Sequence, residues 1–368
     1  MSYLKKKYRE PLVVVDTDKM PNDEWLEYRR KGIGGSDAGI VMNTSPWATP
    51  LGLYHDKIGT EPLTKEDEGK NFIFAYGHFM EPFVAEYFYN NFDEKYKAWL
   101  EEKIGEKIDH IKVYRDTNLY RHPEYQFMQL NLDFRVDITT RDGDFLRGVF
   151  ECKTTSQFNA DKWQGEDYPI NYGWQCRHAM AVIDADFSIL ACVAGNTEGF
   201  YFVKFIKRDK AREKLLIKEE EKFWERVINR EPPTTKEMDV SETGAALIED
   251  LKRYVNAAAE DKKTLSDKDS KPFKKYFELK DKMKELKKEI EVEEGIIREK
   301  LGESQSAVLE LDDYIYSVSA RKSTRVYLDT AKLRKERPDI AEAYNRVSTS
   351  NTVRINRRIN KKNKNGGK

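Results

Sequence analysis

Apolar and polar residues alternate strictly in one stretch of the first half of the chain. The apolar positions of this stretch are Met128, Leu130, Leu132, Phe134 and Val136. Since successive side chains of a strand point to opposite faces of a sheet, the pattern predicts one strand over 128–137 with these apolar residues on one face. The opposite, polar face then carries Asp133 and Asp137.

A second strand with a polar face follows after a turn. Residues 141–144 supply turn chemistry, and the run that ends at Lys153 places Phe150 and Cys152 on one face of the predicted strand. Glu151 and Lys153 share the other face, because they lie two residues apart. The two predicted strands therefore bring two acidic faces together.

Helices and further strands surround this pair in the sequence. Helical spacing, capping residues and breakers predict one helix that begins at Thr49-Pro50 and ends at Gly59, one within 72–92, one from Pro169 through Val182, and one over 209–230 with Asp209 as its cap. A glycine-rich turn at 32–35 leads into a short helix that Ser36 or Asp37 would cap. Strands are predicted at 187–194 and 200–206. The alternation predicts an α/β core, a central mixed sheet flanked by helices.

The last third of the chain has a different composition. Residues 242–301 combine dense charge with a sparse apolar seam from Phe277 to Ile297, which predicts exposed helices or a short coiled segment; the seam is more typical of helix packing than of a partner site. A hairpin around Asp312-Asp313, a helix from Asp329 to Arg337 and a basic tail from 354 follow. The predicted domains are an enzymatic core at 1–240, a charged helical segment at 241–305 and a small α+β module with the basic tail at 306–368.

Length and composition limit the class of protein. The 368 residues are enough for about two domains, and the formal net charge of +0 argues against a protein coated in cations. No stretch approaches the roughly 20 apolar residues that span a bilayer, so we expect a cytoplasmic protein with no membrane contact. The three cysteines lie far apart among apolar residues, which predicts reduced thiols in the core and argues against an iron–sulfur cluster.

Asp133 and the Glu151-Cys152-Lys153 triplet have the side chains that phosphodiester hydrolysis uses. Such hydrolysis needs an activated water and compensation of developing negative charge, which divalent ions supply. Mg²⁺ prefers hard oxygen ligands, so two carboxylates on adjacent strands predict a Mg²⁺ site, in which Mn²⁺ is expected to substitute. Lys153 would orient or deprotonate the water, or neutralise phosphate charge. The pattern alone is weak, because a solvated ion pair explains it roughly four times in five.

Five ordered blocks between residues 21 and 205 make the interpretation more specific. They are Trp25-Leu26-Glu27-Tyr28-Arg29 with Gly32-Ile33-Gly34-Gly35-Ser36-Asp37-Ala38; Ser45-Pro46-Trp47 with Thr49-Pro50-Leu51; Gly77-His78-Phe79-Met80-Glu81; Asn131-Leu132-Asp133 with Glu151-Cys152-Lys153-Thr154-Thr155; and Tyr172-Gly173-Trp174-Gln175-Cys176-Arg177-His178. In this order the blocks resemble the lambda-exonuclease-like, YqaJ-type viral recombinase nucleases of the PD-(D/E)xK superfamily. The resemblance implies the nuclease core of that superfamily for the predicted α/β domain.

The resemblance also implies roles for the acidic residues and the lysine. Asp133 and Glu151 match the metal ligands of the family, and Lys153 matches its catalytic lysine. Glu81 matches a position that adds a further metal ligand or a carboxylate beside the ligands.

Other blocks imply contacts to the substrate. Arg29 and Ser36 match positions that hold a terminal 5′-phosphate, and Arg30 competes with Arg29 for this role. A guanidinium suits phosphate, and a glycine-rich turn would present free N–H groups to an anion. The last block departs from the family, which usually has glutamine at two positions: here Gln175 keeps the first and Arg177 replaces the second. Gln175 is therefore the expected catalytic glutamine.

The family resemblance implies a two-metal exonuclease that degrades double-stranded DNA from its ends, 5′ to 3′, and leaves single-stranded DNA for phage-type recombination. It also implies a ring-shaped homotrimer, a single-strand annealing recombinase as partner, and a phage or prophage protein in a bacterial host. The extension beyond about 240 is absent from the minimal form of the family, so the ring is an expectation for this chain.

Two other functions and three other residues stay open at this point. An endonuclease on the same scaffold would also cut closed circles, and a non-catalytic DNA-end binding module would not cut at all. His78 with Glu81 lacks a second histidine for a zinc site. Asp137 is an alternative metal ligand, and His178 is expected to be a packed helix residue rather than a proton shuttle.

Overall fold

The structure is a computed structural model that describes residues 8–60, 68–234, 246–251, 254, 265–310, 315–320 and 328–344. The chain divides into two compact units, Met1–Tyr254 and Val255–Lys368. The basic tail and the turn of the predicted hairpin lie outside the described residues. The division into three domains at 240 and 305 stays a prediction.

The first unit contains the helices that the sequence predicts, with limits close to the predicted signals, and also helices at 22–30 and 97–104 that it does not predict. Together these helices are α1 (Asn22–Arg30), α2 (Gly35–Val41), α3 (Pro50–Lys57), α4 (Glu68–Asn90), α5 (Lys97–Ile104), α6 (Ile170–Ile183) and α7 (Lys210–Asn229). Thr49 caps α3 by accepting a hydrogen bond from the N–H of Gly52 at 3.2 Å, and Gly59 ends the turn that follows with φ +77°. Asp209 caps α7 through the N–H groups of its second and third residues, as predicted.

The strands of the first unit form two sheets. They are β1 (Leu12–Asp16), β2 (Ile108–Tyr114), β3 (Asn118–Arg121), β4 (Gln129–Leu130), β5 (Phe134–Thr140), β6 (Phe145–Thr155), β7 (Phe187–Ala194) and β8 (Tyr201–Lys207). The larger sheet has the order β2-β5-β6-β7-β8, in which only the β6–β7 pair is parallel, and the smaller sheet has the order β1-β3-β4. The expected mixed sheet is therefore confirmed.

Helices cover both faces of the five-stranded sheet. On one face, α6 packs against β6 and β7 through residues that include Met180, Val149 and Leu190. On the other face, α4 and α5 pack against the same strands through a cluster that includes Phe88 and Phe150. Burial on both sides explains why every residue of β7 except Ser188 is apolar, without alternation. The α/β layer arrangement predicted from the sequence is confirmed.

The continuous strand predicted over 128–137 is wrong. β4 ends at Leu130 and β5 begins at Phe134, and the two belong to different sheets. Leu130 and Leu132 join the cluster on the α6 face, whereas Val136 joins the cluster on the α4 face. The chain crosses from one core to the other between these strands, so the alternating residues do not share one face. Asp133 lies at this crossing.

The second unit contains one long helix and a small α+β element in its described residues. α8 (Ser270–Leu301) carries the apolar seam and is exposed along almost its whole length. β9 (Ser306–Glu310) and β10 (Ile315–Ser319) form the predicted hairpin. Pro338 begins α10 (Pro338–Ala343) directly after α9 (Thr330–Glu336), where only a helix end was predicted.

The three cysteines lie in the core as expected. Cys152, Cys176 and Cys192 are buried free thiols, and burial raises the pKa of Cys176 and of Cys192 to about 12. Across the described ranges, no helix is both long enough and apolar enough to cross a membrane.

Candidate active site

Asp133 and Glu151 are neighbours across the β5–β6 strand pair. The antiparallel register pairs Phe134 with Phe150, so the residue before Phe134 lies beside the residue after Phe150. Asp133 Oδ2 accepts a hydrogen bond from the backbone N–H of Cys152 at 2.8 Å. This bond orients the Asp133 carboxylate toward β6, although Asp133 itself precedes the strand.

Glu151 and Lys153 share the face of β6 that α6 covers. Lys153 Nζ donates to Glu151 Oε1 at 2.6 Å, and Gln175 on α6 donates to the same oxygen through Nε2. The ammonium also lies 5.1 Å from the centre of the Tyr172 ring, a cation–π distance. Asp133, Glu151, Lys153 and Gln175, called the carboxylate centre below, are therefore brought together as the sequence predicts.

Negative charge is in excess in the carboxylate centre. Burial and the neighbouring charge of Glu151 raise the pKa of Asp133 well above its ordinary range. Burial lowers the pKa of Lys153, but Glu151 and Asp133 together raise it by more, so the net shift is upward. Lys153 is thus held as a cation, which favours charge neutralisation over water deprotonation as its role.

Glu81 lies near the carboxylate centre but is not joined to it. Its backbone carbonyl accepts from Cys152 Sγ at 3.4 Å, and its carboxylate pairs with His78 Nδ1 at 2.8 Å. The Glu81 charge contributes to the raised pKa of Asp133. Among the residues that the structure describes, no three histidine, cysteine, aspartate or glutamate side chains are grouped so that they could hold a metal ion together. A ligand role for Glu81 stays a prediction.

Asp133 and Glu151 nevertheless have the donor chemistry that a divalent cation requires. In the described part of the chain, hydrogen bonds engage Oδ2 of Asp133 and Oε1 of Glu151 and leave the second oxygen of each carboxylate without one. Mg²⁺ is typically bound by one or two carboxylates and completes its shell with water and substrate oxygens. The buried carboxylate of Glu151 and the half-buried one of Asp133, beside one ammonium, therefore fit a magnesium site without a third protein ligand.

Arg29 and Ser36 meet at the protein surface. Arg29 Nη2 donates to Ser36 Oγ at 2.9 Å and also contacts Asp37 Oδ1 at 3.2 Å. The guanidinium carbon lies 5.0 Å from the centre of the Trp25 ring, and 32% of the Arg29 side chain is exposed. Trp25, Arg29, Ser36 and Asp37 form what we call the guanidinium pocket, an exposed cation beside an exposed hydroxyl.

Residues in the guanidinium pocket or next to it in the sequence lie near residues of the carboxylate centre or next to them. Trp25 Nε1 donates to Asn131 Oδ1 at 3.1 Å, two residues before Asp133. On the other side, α2 lies so close to α6 that a Cβ added to Gly35 would lie 3.4 Å from Gln175 Cγ.

The structure bears on two expectations about this region. Arg30 Nη2 contacts Asp56 at 3.4 Å, whereas Arg29 contacts Ser36, and the role of Arg30 at a 5′-phosphate stays a prediction. The glycine-rich turn does not offer all of its N–H groups to an anion, because that of Gly34 donates to Asp37 at 2.9 Å and that of Ile33 to a backbone carbonyl. Asp37, and not Ser36, provides the cap of α2.

The remaining candidate residues lie outside the carboxylate centre. Asp137 accepts from the Tyr114 hydroxyl at 2.8 Å and lies about 13 Å along β5 from Asp133, at about 3.3 Å per residue. His178 is fully buried between Glu220 and the carbonyl of Gln129, both at 2.8 Å, which confirms it as a packed residue. Arg177, at the position where the family usually has a second glutamine, donates instead to a carbonyl of its own helix.

Sequence reasoning missed Lys57 and the structural role of Trp25. Lys57 is buried against Asp37 and Arg29. Its position at the end of α3 carries no motif, and a lysine near a helix C-terminus usually indicates only a favourable dipole contact. Trp25 was part of a matched block, but only the fold shows that it joins Arg29 to Asn131.

Residues 24–186 match the sequence profile of the YqaJ-like viral recombinase domain. The uncharacterized protein YqaJ of Bacillus subtilis (strain 168) is 28% identical over 333 residues, which are 90% of this chain and 92% of that protein. The resemblance inferred from the ordered blocks is confirmed.

Solved structures of one exonuclease are also similar to this chain. The alkaline exonuclease LHK-Exo from Laribacter hongkongensis has 16% identity and a TM-score of 0.38, over 56% of this chain and 93% of that one. Its complex with dAMP has 18% identity and a TM-score of 0.39 over the same shares.

Proposed function

The chain carries a YqaJ-like viral recombinase domain at residues 24–186, and from this premise we propose that it is a magnesium-dependent nuclease. Its proposed substrate is double-stranded DNA, degraded from ends that bear a 5′-phosphate. The observation that carries the proposal is the meeting of Glu151, Lys153 and Gln175 beside Asp133, in the same unit as the contact between Arg29 and Ser36.

The carboxylate centre supplies the chemistry of hydrolysis in this proposal. Asp133 and Glu151 would hold the divalent ion, which supplies an activated water and offsets charge on the phosphate and on the leaving oxygen. Gln175 holds the Glu151 carboxylate in one orientation through Oε1. Lys153 places a positive charge beside the scissile phosphate, where negative charge develops as the bond breaks.

The guanidinium pocket supplies the preference for a DNA end. Arg29 offers charged donors in a fixed planar geometry, and Ser36 adds a hydroxyl next to them. A terminal 5′-phosphate carries more negative charge than an internal phosphodiester, so it is the better ligand for this pair. Degradation that begins at such an end would run 5′ to 3′, the polarity that the family resemblance implies.

A time course of DNA degradation tests the function. Linear DNA with 5′-phosphate ends, the same DNA with 5′-hydroxyl ends, and a covalently closed circle are incubated with Mg²⁺ or with a chelator. We expect the phosphorylated linear DNA to be degraded fastest, the circle to stay intact, and the chelator to stop all cleavage. Cleavage of the circle would support the endonuclease alternative, and no cleavage of any substrate would support a DNA-end binding module.

The ring-shaped trimer and the annealing partner belong to the same proposal and rest on the resemblance alone. Sedimentation with and without DNA tests the trimer. A mass of one 43.2 kDa chain under both conditions would overturn it.

A further inference from the structure

Lys57, the last residue of α3, carries a charge that is completely buried. Its side chain is 0% exposed, and Nζ contacts Asp37 Oδ2 at 2.7 Å and donates to the backbone carbonyl of Arg29 at 2.9 Å. An ammonium group persists away from water only where partners compensate its desolvation. The Arg29 carbonyl lies in the last turn of α1, where carbonyl groups have no partner within the helix. Lys57 therefore ties α3 to α1 and to α2 at the guanidinium pocket.

The two carboxylate oxygens of Asp37 contact different cations, Lys57 and Arg29. Its Oδ2 lies 2.7 Å from Lys57 Nζ and accepts the N–H of Gly34, whereas its Oδ1 lies 3.2 Å from Arg29 Nη2. The same Nη2 donates to Ser36 Oγ at the shorter distance of 2.9 Å. Since Lys57 makes the closer contact with Asp37, Arg29 is left to face Ser36 with part of its guanidinium exposed.

Loss of the Lys57 charge would change the contacts of Asp37 with its cationic partners. The buried carboxylate of Asp37 would keep only one cationic partner, and attraction between unlike charges is strong in a poorly hydrated site. Arg29 would then serve as the counterion of Asp37, and its guanidinium would be withdrawn from Ser36. A bound phosphate would compete with Asp37 for the same donors.

We propose that Lys57 is a positioning residue for recognition of the 5′-phosphate: it neutralises Asp37 and so leaves the Arg29 guanidinium available to the substrate. This inference rests on the proposed function, which places the terminal phosphate between Arg29 and Ser36. Lys57 acts through Asp37 and Arg29 and does not touch the phosphate itself.

A charge-rescue experiment tests the role of Lys57. Lys57→Met removes the charge and keeps an apolar stem of similar length, and Lys57→Met combined with Asp37→Asn removes both charges. All proteins also carry Glu151→Gln, so that binding is measured without cleavage. Duplexes with a fluorophore at the distal 3′ end and a 5′-phosphate or 5′-hydroxyl are titrated, and the ratio of the two Kd values gives the phosphate preference.

We expect the parent Glu151→Gln protein to prefer the phosphorylated duplex by about tenfold, the scale of a charge-assisted hydrogen bond. Lys57→Met should reduce this preference to less than about threefold, and the added Asp37→Asn should restore most of it. Lys31→Met, at the exposed lysine that directly follows α1, is the matched control and should keep the parent preference. Circular dichroism melting curves verify that each variant is folded.

A purely structural role would give a different result. The second substitution would then add damage to the first, so failure of Asp37→Asn to restore the preference overturns the proposal, as does an unchanged preference in Lys57→Met. Absence of any preference in the parent protein overturns the phosphate pocket and the role of Lys57 together. Absence of cleavage by the unsubstituted protein overturns the nuclease function alone, because the binding ratio is measured independently.

Discussion

Asp37 and Asp133 are carboxylates of the same domain in opposite electrostatic surroundings. Lys57 and Arg29 outweigh the burial of Asp37, and the pKa of this residue lies below its ordinary range. Burial and the charge of Glu151 raise the pKa of Asp133 well above that range. The charge of Asp37 is therefore balanced by side chains of the protein itself. The carboxylate centre, in contrast, contains negative charge that a bound cation would compensate.

The difference in charge balance indicates which of the two carboxylates stabilises the fold and which destabilises it in favour of binding. A neutralised network such as the guanidinium pocket contributes to the fold and keeps its geometry before substrate arrives. A centre with excess like charge costs folding free energy and is typical of sites that bind or react with something else. Four substitutions test this contrast, from the largest expected effect to the smallest.

Asp37→Asn should destabilise the first unit by about 3–5 kcal/mol, because it leaves the Lys57 ammonium buried without its counterion. The contribution of Asp37 is present above its ordinary pKa of 3.8 and is lost as the pH falls through its lower pKa in the folded protein. Urea denaturation at pH 7 and at pH 3 measures both effects.

Asp56→Asn is the matched control for Asp37→Asn. Asp56 is 41% exposed and pairs with Arg30, so its loss should cost less than about 1 kcal/mol. Equal losses for the two substitutions would contradict the stabilising role of the guanidinium pocket.

Glu151→Gln should reduce cleavage by at least about 10²–10³-fold, the loss that follows removal of one preorganised electrostatic group. The amide keeps the shape of the side chain, so DNA binding should persist. Initial rates on phosphorylated linear DNA measure the effect. Glu124→Gln, at an exposed glutamate, controls for the glutamate-to-glutamine exchange and should leave the rate unchanged. Substantial cleavage by Glu151→Gln would remove Glu151 from the site.

Arg29→Ala should lower the ratio of rates on 5′-phosphate and 5′-hydroxyl ends by about tenfold, because a charge-assisted hydrogen bond to the end is lost. Arg30→Ala removes the same charge one residue away, where the side chain pairs with Asp56. It should leave the ratio unchanged. The reverse outcome would exchange the roles of the two arginines.

Asp133→Asn should stabilise the metal-free protein by about 1 kcal/mol, since it removes one of two crowded carboxylates. The raised pKa means that the folded state binds the proton more tightly than the unfolded state. The stabilising protonated form is present at low pH, and stability is lost as the pH rises above 3.8 through the higher folded pKa. Melting curves in a chelator measure this change.

Adding Mg²⁺ should then raise the Tm of the unsubstituted protein, because ligand binding to the folded state stabilises it. The shift should be smaller in Asp133→Asn. An equal shift in both proteins would place the ion elsewhere.

Much of the fold follows from local signals in the sequence. β7 has the predicted limits, and α3 and α7 begin at the predicted caps Thr49 and Asp209, because caps and apolar runs act over a few residues. The prediction of one strand over 128–137 was wrong because it depended on the tertiary structure. Its alternation is real, but the chain changes sheet between Leu130 and Phe134, and a period of two does not reveal which core each residue enters.

Part of the candidate site also follows from local spacing in the sequence, and part depends on the fold. The two-residue spacing of Glu151 and Lys153 determines that they share a face, whatever the sheet around them. The partnership of Glu151 with Gln175 came from resemblance, and its physical basis is the packing of α6 on β6. The different partners of Arg29 and Arg30, which are Ser36 and Asp56, are visible only in the folded chain.

The sequence by itself determined the α/β class, the caps, and the carboxylate, lysine and arginine types that the proposed chemistry needs. Only the tertiary structure decided that Asp133 bonds to the backbone beside Glu151, that Trp25 joins the pocket to Asn131, and that Lys57 compensates Asp37. The physical reason is that caps and periodicity depend on neighbours a few residues apart. The charge balance of a buried group depends on side chains that folding brings from distant parts of the chain.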